Sequence, residues 1–206
     1  MMTRSRFIVQ PDWAGKPREA EIDGWPVIDG FEPPEKDYTA GLSDLSHRPK
    51  ATVYGPALKK QGELEPGKAI WTGQGFLSLL RPGEAVVFDL LGPMNPSWPE
   101  DATDMTDAWV LLGLWGRQAV AVMERLFAVD VDRPGEAHPF HLVTRWHALV
   151  VQILNLKGLQ PGFLLATDRS HGQNLFDGLI HGGRHLGLRP VGVRSWQDWF
   201  GTLGFN

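Results

Sequence analysis

The chain of 206 residues contains no cysteine. That excludes a disulfide framework, a thiolate nucleophile and any cysteine-ligated zinc or iron–sulfur site. No apolar run reaches membrane-spanning length, so no transmembrane helix is expected. The opening MMTRSRFIVQPDW holds only a short apolar run, Phe7-Ile8-Val9, and does not read as a secretory signal. A cytoplasmic location is the expectation. Neither sign of charge dominates: the formal net charge is -4, with acids and bases interspersed, which argues against a nucleic-acid footprint. Phosphate-loop and dinucleotide fingerprints are also missing. Gly73-Gln74-Gly75 has the glycines but reads as a hairpin turn with no helix behind it.

What is present suits a soluble globular protein. Hydrophobic residues make up 42% and charged residues 21%, enough to bury a core without metal or disulfide staples. Tryptophan is abundant, at Trp13, Trp25, Trp71, Trp98, Trp109, Trp115, Trp146, Trp196 and Trp199. Packing in a core or an interface explains such rings more readily than a wall for a flat heterocycle.

Residues 1–40 are interrupted by Pro11, Pro17, Pro26, Pro33 and Pro34, and read as an extended arm with a short strand or two. Residues 41–98 form a smaller first half. Lys50–Tyr54 alternates like a half-buried strand and stops at Gly55-Pro56; Ala69–Trp71 and Gly75–Leu80 form a hairpin. Pro82 and Glu84 give Ala85–Leu91 a helix-start signal. Residues 99–206 form a second half, after the Gly92–Pro99 loop. Ala108–Leu114 is a near-continuous apolar strand. Ala119, Val122, Met123 and Leu126 have helical spacing within 118–127. Strands follow at 140–146, 149–156 and 162–166, then a helix with Leu175, Phe176, Leu179 and Ile180, then a last strand at 188–193. The fold class is α+β, with helices packed on a mainly antiparallel sheet.

Several side-chain groupings suggest chemistry and are better explained structurally. His181 and His185 have metal-ligand spacing, but Gly182-Gly183-Arg184 between them favours a solvated helix face. His138, His141 and His147 read as satisfied core or surface histidines, and no metal site is expected. Asp44, Ser46 and His47 are too close together for a catalytic relay. Asp44 and Ser46 are expected to bond backbone amides and shape a turn.

Three segments carry a family resemblance: GLSDLSHRPKATVYGP at 41–56, DMTD followed by AWVLLGLWGRQAVAVMERL at 104–126, and PGFLLATDRSHGQNLFDGLIHGGRHLGLRPVG at 161–192. Together they resemble the folate-binding aminomethyltransferase (glycine-cleavage T-protein) superfamily, and most of all its sarcosine oxidase gamma-subunit branch. The resemblance implies the T-protein-like fold without the C-terminal barrel domain of full-length transferases. It implies folate-cavity candidates Arg48, Glu65, Arg81, Lys157, Gln160 and Trp196; the aromatic clustering of the tail separately gives partner-contact candidates Trp196, Trp199 and Phe200. Glu63 and Glu65 are the acids nearest the position of the family's folate-polarising carboxylate. The family's Tyr-Thr-Gly-Glu segment stands here as Lys157-Gly158-Leu159-Gln160, and a folate-gripping arginine stands as Trp196. Exchanging Glu for Gln removes a charge and a proton acceptor, which argues against an intact transferase site. No catalytic residue is assigned.

Two functions follow as expectations. One is a structural or weakly catalytic subunit of a folate-linked N-methyl amine oxidoreductase complex, bound to a larger oxidoreductase or transferase subunit. The other is a tetrahydrofolate-dependent aminomethyl or methyl transferase with a rearranged site. The resemblance leaves room for tetrahydrofolate in the assembled complex, and no cofactor is expected on the isolated chain. The aromatic tail Trp196–Phe205 is expected to be an exposed contact surface.

Overall fold

The computed structural model describes residues 14–34, 37–55 and 65–205. Glu63 lies outside them.

The organising element is a six-stranded sheet covered on both faces. Its strands are β3 (Ala40–Asp44), β9 (Trp109–Trp115), β10 (Phe140–Trp146), β11 (Leu149–Asn155), β12 (Gly162–Asp168) and β13 (Leu188–Pro190), in the spatial order β10-β11-β12-β9-β3-β13. All neighbours are antiparallel except β13, which lies parallel to β3. Successive strand residues point to opposite faces. Leu112 and Leu114 of β9 therefore enter one core with Phe163 and Leu165 of β12, while Leu111 and Trp115 enter another with Leu164 and Ala166. Burial on both sides is why these strands read as continuous apolar runs in the sequence.

The first face is covered by α1 (Ala119–Leu126) and α2 (Gly172–Gly183). Ala119, Val122 and Met123 of α1 meet Leu175, Phe176, Leu179 and Ile180 of α2 over the sheet. Leaving their spaced apolar stripes exposed would cost roughly 1.5–3 kcal/mol per large side chain.

The second face meets a five-stranded antiparallel sheet of β4 (Lys50–Tyr54), β5 (Ala69–Trp71), β6 (Gly75–Arg81), β7 (Glu84–Asp89) and β8 (Ala102–Asp104), ordered β5-β6-β7-β4-β8. The two sheets are stitched where His141 N donates to Gly67 O at 2.8 Å and Ala69 N donates to Pro139 O at 3.0 Å. The hairpin of β1 (Lys16–Ile22) and β2 (Trp25–Glu32) completes this side. It buries Trp25, Val27, Ile28 and Phe31, so the proline-rich arm carries its own apolar face.

Two expectations need correction. The helix signalled at Ala85–Leu91 is strand β7. Pro82 and Gly83 occupy the centre of a tight turn, Gly83 with φ 84°, and Arg81 pairs across it with Glu84. A proline followed by a positive-φ glycine suits a type II turn, and Val86, Val87 and Phe88 then favour a strand. The strand expected at 188–193 ends at Pro190, and a third helix, α3 (Val193–Phe200), follows. Val193, Trp196, Trp199 and Phe200 form its buried stripe.

Candidate functional site

The loop after β3 is built by its own polar side chains. Asp44 Oδ1 accepts the Ser46 amide at 2.9 Å, and Arg48 N donates to Leu45 O at 2.8 Å. Ser46 Oγ accepts the Leu111 amide at 3.1 Å, fastening the loop to β9. The turn-shaping roles expected for Asp44 and Ser46 are seen in the structure. Beneath the loop the Lys50 side chain is fully buried, and its Nζ donates to Ser46 O at 2.9 Å and Arg48 O at 2.8 Å. Burial pushes the Lys50 amine down to about 7, against the pull of Asp44, Asp104 and Asp107.

Arg48 leaves the loop towards the turn after β7. Its Nε donates to Asp89 O at 3.2 Å, and its Nη2 reaches Gly92 O at 2.9 Å and Asp89 Oδ1 at 3.4 Å. Asp89 Oδ1 also accepts the Gly92 amide at 2.6 Å. Burial lowers the guanidinium from its ordinary value, and Asp89 opposes that shift. His47 is buried beside it. Burial first, then the Arg48 and Lys50 charges, push its imidazole down to about 3.

These residues face α3 across a cavity of about 270 Å³. Leu45, His47 and Arg48 line one side, Leu90 and Leu91 another, and Val193, Trp196 and Phe200 of α3 the third. Gly201, Gly204 and Phe205 border it beyond the helix. The other flank of α3 borders an open groove of about 540 Å³, where Trp199 and Asp198 face Tyr38, Trp115, Arg117 and Gln160.

Tryptophan rings of this region rest on glycines. A side-chain carbon at Gly113 would lie 2.5 Å from the Trp196 ring, and one at Gly162 would lie 2.1 Å from the Trp199 ring. Trp115 is flanked in register by Gly41 on β3 and Gly162 on β12. The glycines give the large indoles room against the sheet, a pattern with no signal in periodicity alone.

The folate-cavity candidates are scattered. Arg48 and Trp196 both line the cavity between the loop and α3. Gln160 borders the open groove, where its Oε1 accepts Trp199 Nε1 at 3.2 Å. Lys157 sits above the Phe140 ring, with its Nζ bound to the carbonyls of Asp132 and Arg133. Arg81 pairs with Glu84 at the end of β6, and Glu65 is exposed at the start of its segment. Trp196, Trp199 and Phe200, expected in an exposed cluster, are buried at 4%, 8% and 6% exposure. An amphipathic helix turns their rings inward. The sequence reading missed Asp89, which fixes Arg48, and it treated Lys50 as an ordinary loop or strand lysine.

His141 forms a second polar island in the same core. Its Nδ1 bonds Ser78 Oγ at 2.8 Å, its Nε2 has no hydrogen-bond partner, and burial pushes it down to about 4. His138, His147, His181 and His185 are exposed. Among the described residues no group of three or more His, Cys, Asp or Glu could hold a metal ion, and no helix is long and apolar enough to cross a membrane.

No family model matches the chain, and no curated protein matches it. Among solved structures the fold is similar to a chain of the heterotetrameric sarcosine oxidase from Corynebacterium sp. U-96, determined in complex with pyrrole 2-carboxylate. The TM-score is 0.60 at 13% identity, over 74% of this chain and 88% of that one. The likeness shows a shared fold: α+β, mainly antiparallel and related to that of a sarcosine oxidase chain.

Proposed function

We propose that the chain is a subunit of the sarcosine oxidase gamma kind, structural or weakly catalytic, in a folate-linked complex that oxidises N-methyl amines. The observation that carries this reading is the fold likeness to a chain of a heterotetrameric sarcosine oxidase, which spans 88% of that chain. The chemistry of the cavity agrees. No carboxylate side chain lines it, and a histidine held near 3 is a poor proton acceptor at neutral pH. The reacting centre then belongs to a larger oxidoreductase subunit, and this chain contributes surface and shape. Tetrahydrofolate belongs to the assembly.

The test is gentle purification of the tagged chain from its own cells, with mass analysis and flavin absorbance of whatever remains bound. A larger subunit in fixed ratio, carrying flavin, is the expected result. A lone monomer overturns the proposal. Calorimetry on the isolated chain separates the alternative: tetrahydrofolate binding at about 1 μM or tighter would instead favour an aminomethyl or methyl transferase with a rearranged site.

A further inference from the structure

The cavity between the Arg48 loop and α3 is electrically neutral, although a guanidinium stands in its wall. The Arg48 charge is answered by Asp89 Oδ1 at 3.4 Å, and its donors are also engaged by Asp89 O and Gly92 O. The other ionisable group in the lining, His47, carries no charge at neutral pH. What remains is mostly apolar, with Gln197 as its one further polar side chain, and three aromatic rings supply flat surface. Trp196 and Phe200 lie with ring planes 22° apart and centroids 5.6 Å apart, and Phe205 lies beyond, tilted 30° to Phe200 with centroids 5.5 Å apart. The volume of about 270 Å³ lies just under the roughly 300–1,000 Å³ of drug-sized ligand sites. An anion entering here would lose its hydration without meeting an unopposed cation, a cost that a neutral ring escapes.

We infer that this cavity binds a neutral, flat molecule of one or two rings and discriminates against the corresponding carboxylate. The inference rests on the cavity's own lining and is independent of the subunit assignment.

Benzamide and benzoate are a matched pair for the test, alike in shape and different in charge. The full chain, labelled at the tryptophan indole nitrogens, is titrated with each while the Trp196 resonance is followed. Benzamide is expected to shift it saturably with Kd of about 1 mM or tighter, and benzoate to bind at least about tenfold more weakly. Asp89→Asn keeps an acceptor for the Gly92 amide and leaves Arg48 unopposed. It should strengthen benzoate by about tenfold or more and leave benzamide nearly unchanged. Gly201→Leu supplies a second variant. Gly201 has helical φ -60° and ψ -21°, and an added side-chain carbon meets nothing within 4 Å. A leucine there should crowd the cavity border and weaken benzamide by about tenfold without loss of fold. The inference is overturned if benzoate binds the native protein as tightly as benzamide, if neither ligand shifts Trp196, or if Gly201→Leu leaves benzamide binding intact. Should Asp89→Asn fail to fold, the native pair and Gly201→Leu decide the matter.

Discussion

The two faces of the six-stranded sheet are supplied by the same alternating strands and closed in different ways. On the α1–α2 face, leucines, valines, isoleucines and three phenylalanines, Phe127, Phe163 and Phe176, interdigitate beneath two amphipathic helices. On the α3 face, Trp115, Trp196, Trp199, Phe200 and Phe88 fill the space between two sheets. Both depressions border α3 on that second side. Large rings take glycine-sized recesses on both faces: Trp196 and Trp199 rest on Gly113 and Gly162, and Trp146 rests on Gly178 of α2. The depressions beside α3 accompany the face with the denser cluster of rings.

The sharpest way to break this comparison is a matched pair of truncations. Phe176→Ala on the aliphatic face should cost near the top of the ~3–5 kcal/mol range for aromatic-to-alanine changes in cores. Trp199→Ala should fall near the bottom of that ~3–5 kcal/mol range, because its site borders an open groove. Denaturant midpoints at constant slope measure both, and a reversed order would contradict the assignment of the faces.

The glycine recesses come next. Gly162→Ala drives a methyl into the Trp199 ring and should cost roughly 1–3 kcal/mol by overpacking. Added to Trp199→Phe, the same change should cost measurably less, since the two sites share one space. Full additivity in chemical denaturation would mean that the ring does not rest there.

The pH profile distinguishes the faces further, because the buried ionisable groups cluster around the aromatic core. His47 and His141 stay neutral in the fold down to about 3 and 4, while the unfolded chain protonates them near 6.5. The unfolded state therefore binds more protons as pH falls below 6.5. Stability should drop by up to about 1.4 kcal/mol per pH unit for each histidine and level off below the folded values. Lys50 acts in a higher window: its folded value of about 7 lies below the ordinary 10.5. Stability should rise as pH climbs from about 7 towards 10.5 and be flat on that account below 7. Unfolding free energies against pH, with His141→Gln and Lys50→Met each removing one sloping region, check both signs.

The smallest expected effect is at the groove. Gln160→Leu removes the acceptor of the Trp199 indole and should cost about 1 kcal/mol. A change of that size in thermal or chemical unfolding would show that the contact holds the ring, and no change would show that packing alone does.

The aliphatic face was largely legible in the sequence. Ala119-Val122-Met123 and Leu175-Phe176-Leu179-Ile180 announce their helices by spacing, and the doubly buried strands announce themselves as apolar runs. The aromatic face was not. The stripe Val193, Trp196, Trp199 and Phe200 has the same helical spacing as α1, but its tryptophans suggest an outward contact surface until the recess at Gly113 is seen. β7 was hidden because proline and glutamate signal a helix start as readily as a turn, and a positive φ at Gly83 decided between them. Of the six folate-cavity candidates, Arg48 and Trp196 converge because a loop and a helix distant in sequence pack together. No local pattern encodes that meeting.

Trp115, Trp196 and Trp199 form a closed triangle, with ring centroids 5.0–5.6 Å apart. Chromophores that close share their electronic excitations. The far-ultraviolet circular dichroism of the folded chain should therefore carry a paired positive and negative band from coupled indoles, overlying the signal of its short helices. Helix content read naively from such a spectrum would be wrong, but the couplet itself is an internal optical reporter. It should change in shape and intensity when one of the three rings is replaced by phenylalanine and vanish only when two are, even where the backbone stays folded, and it should respond when a guest molecule tilts Trp196.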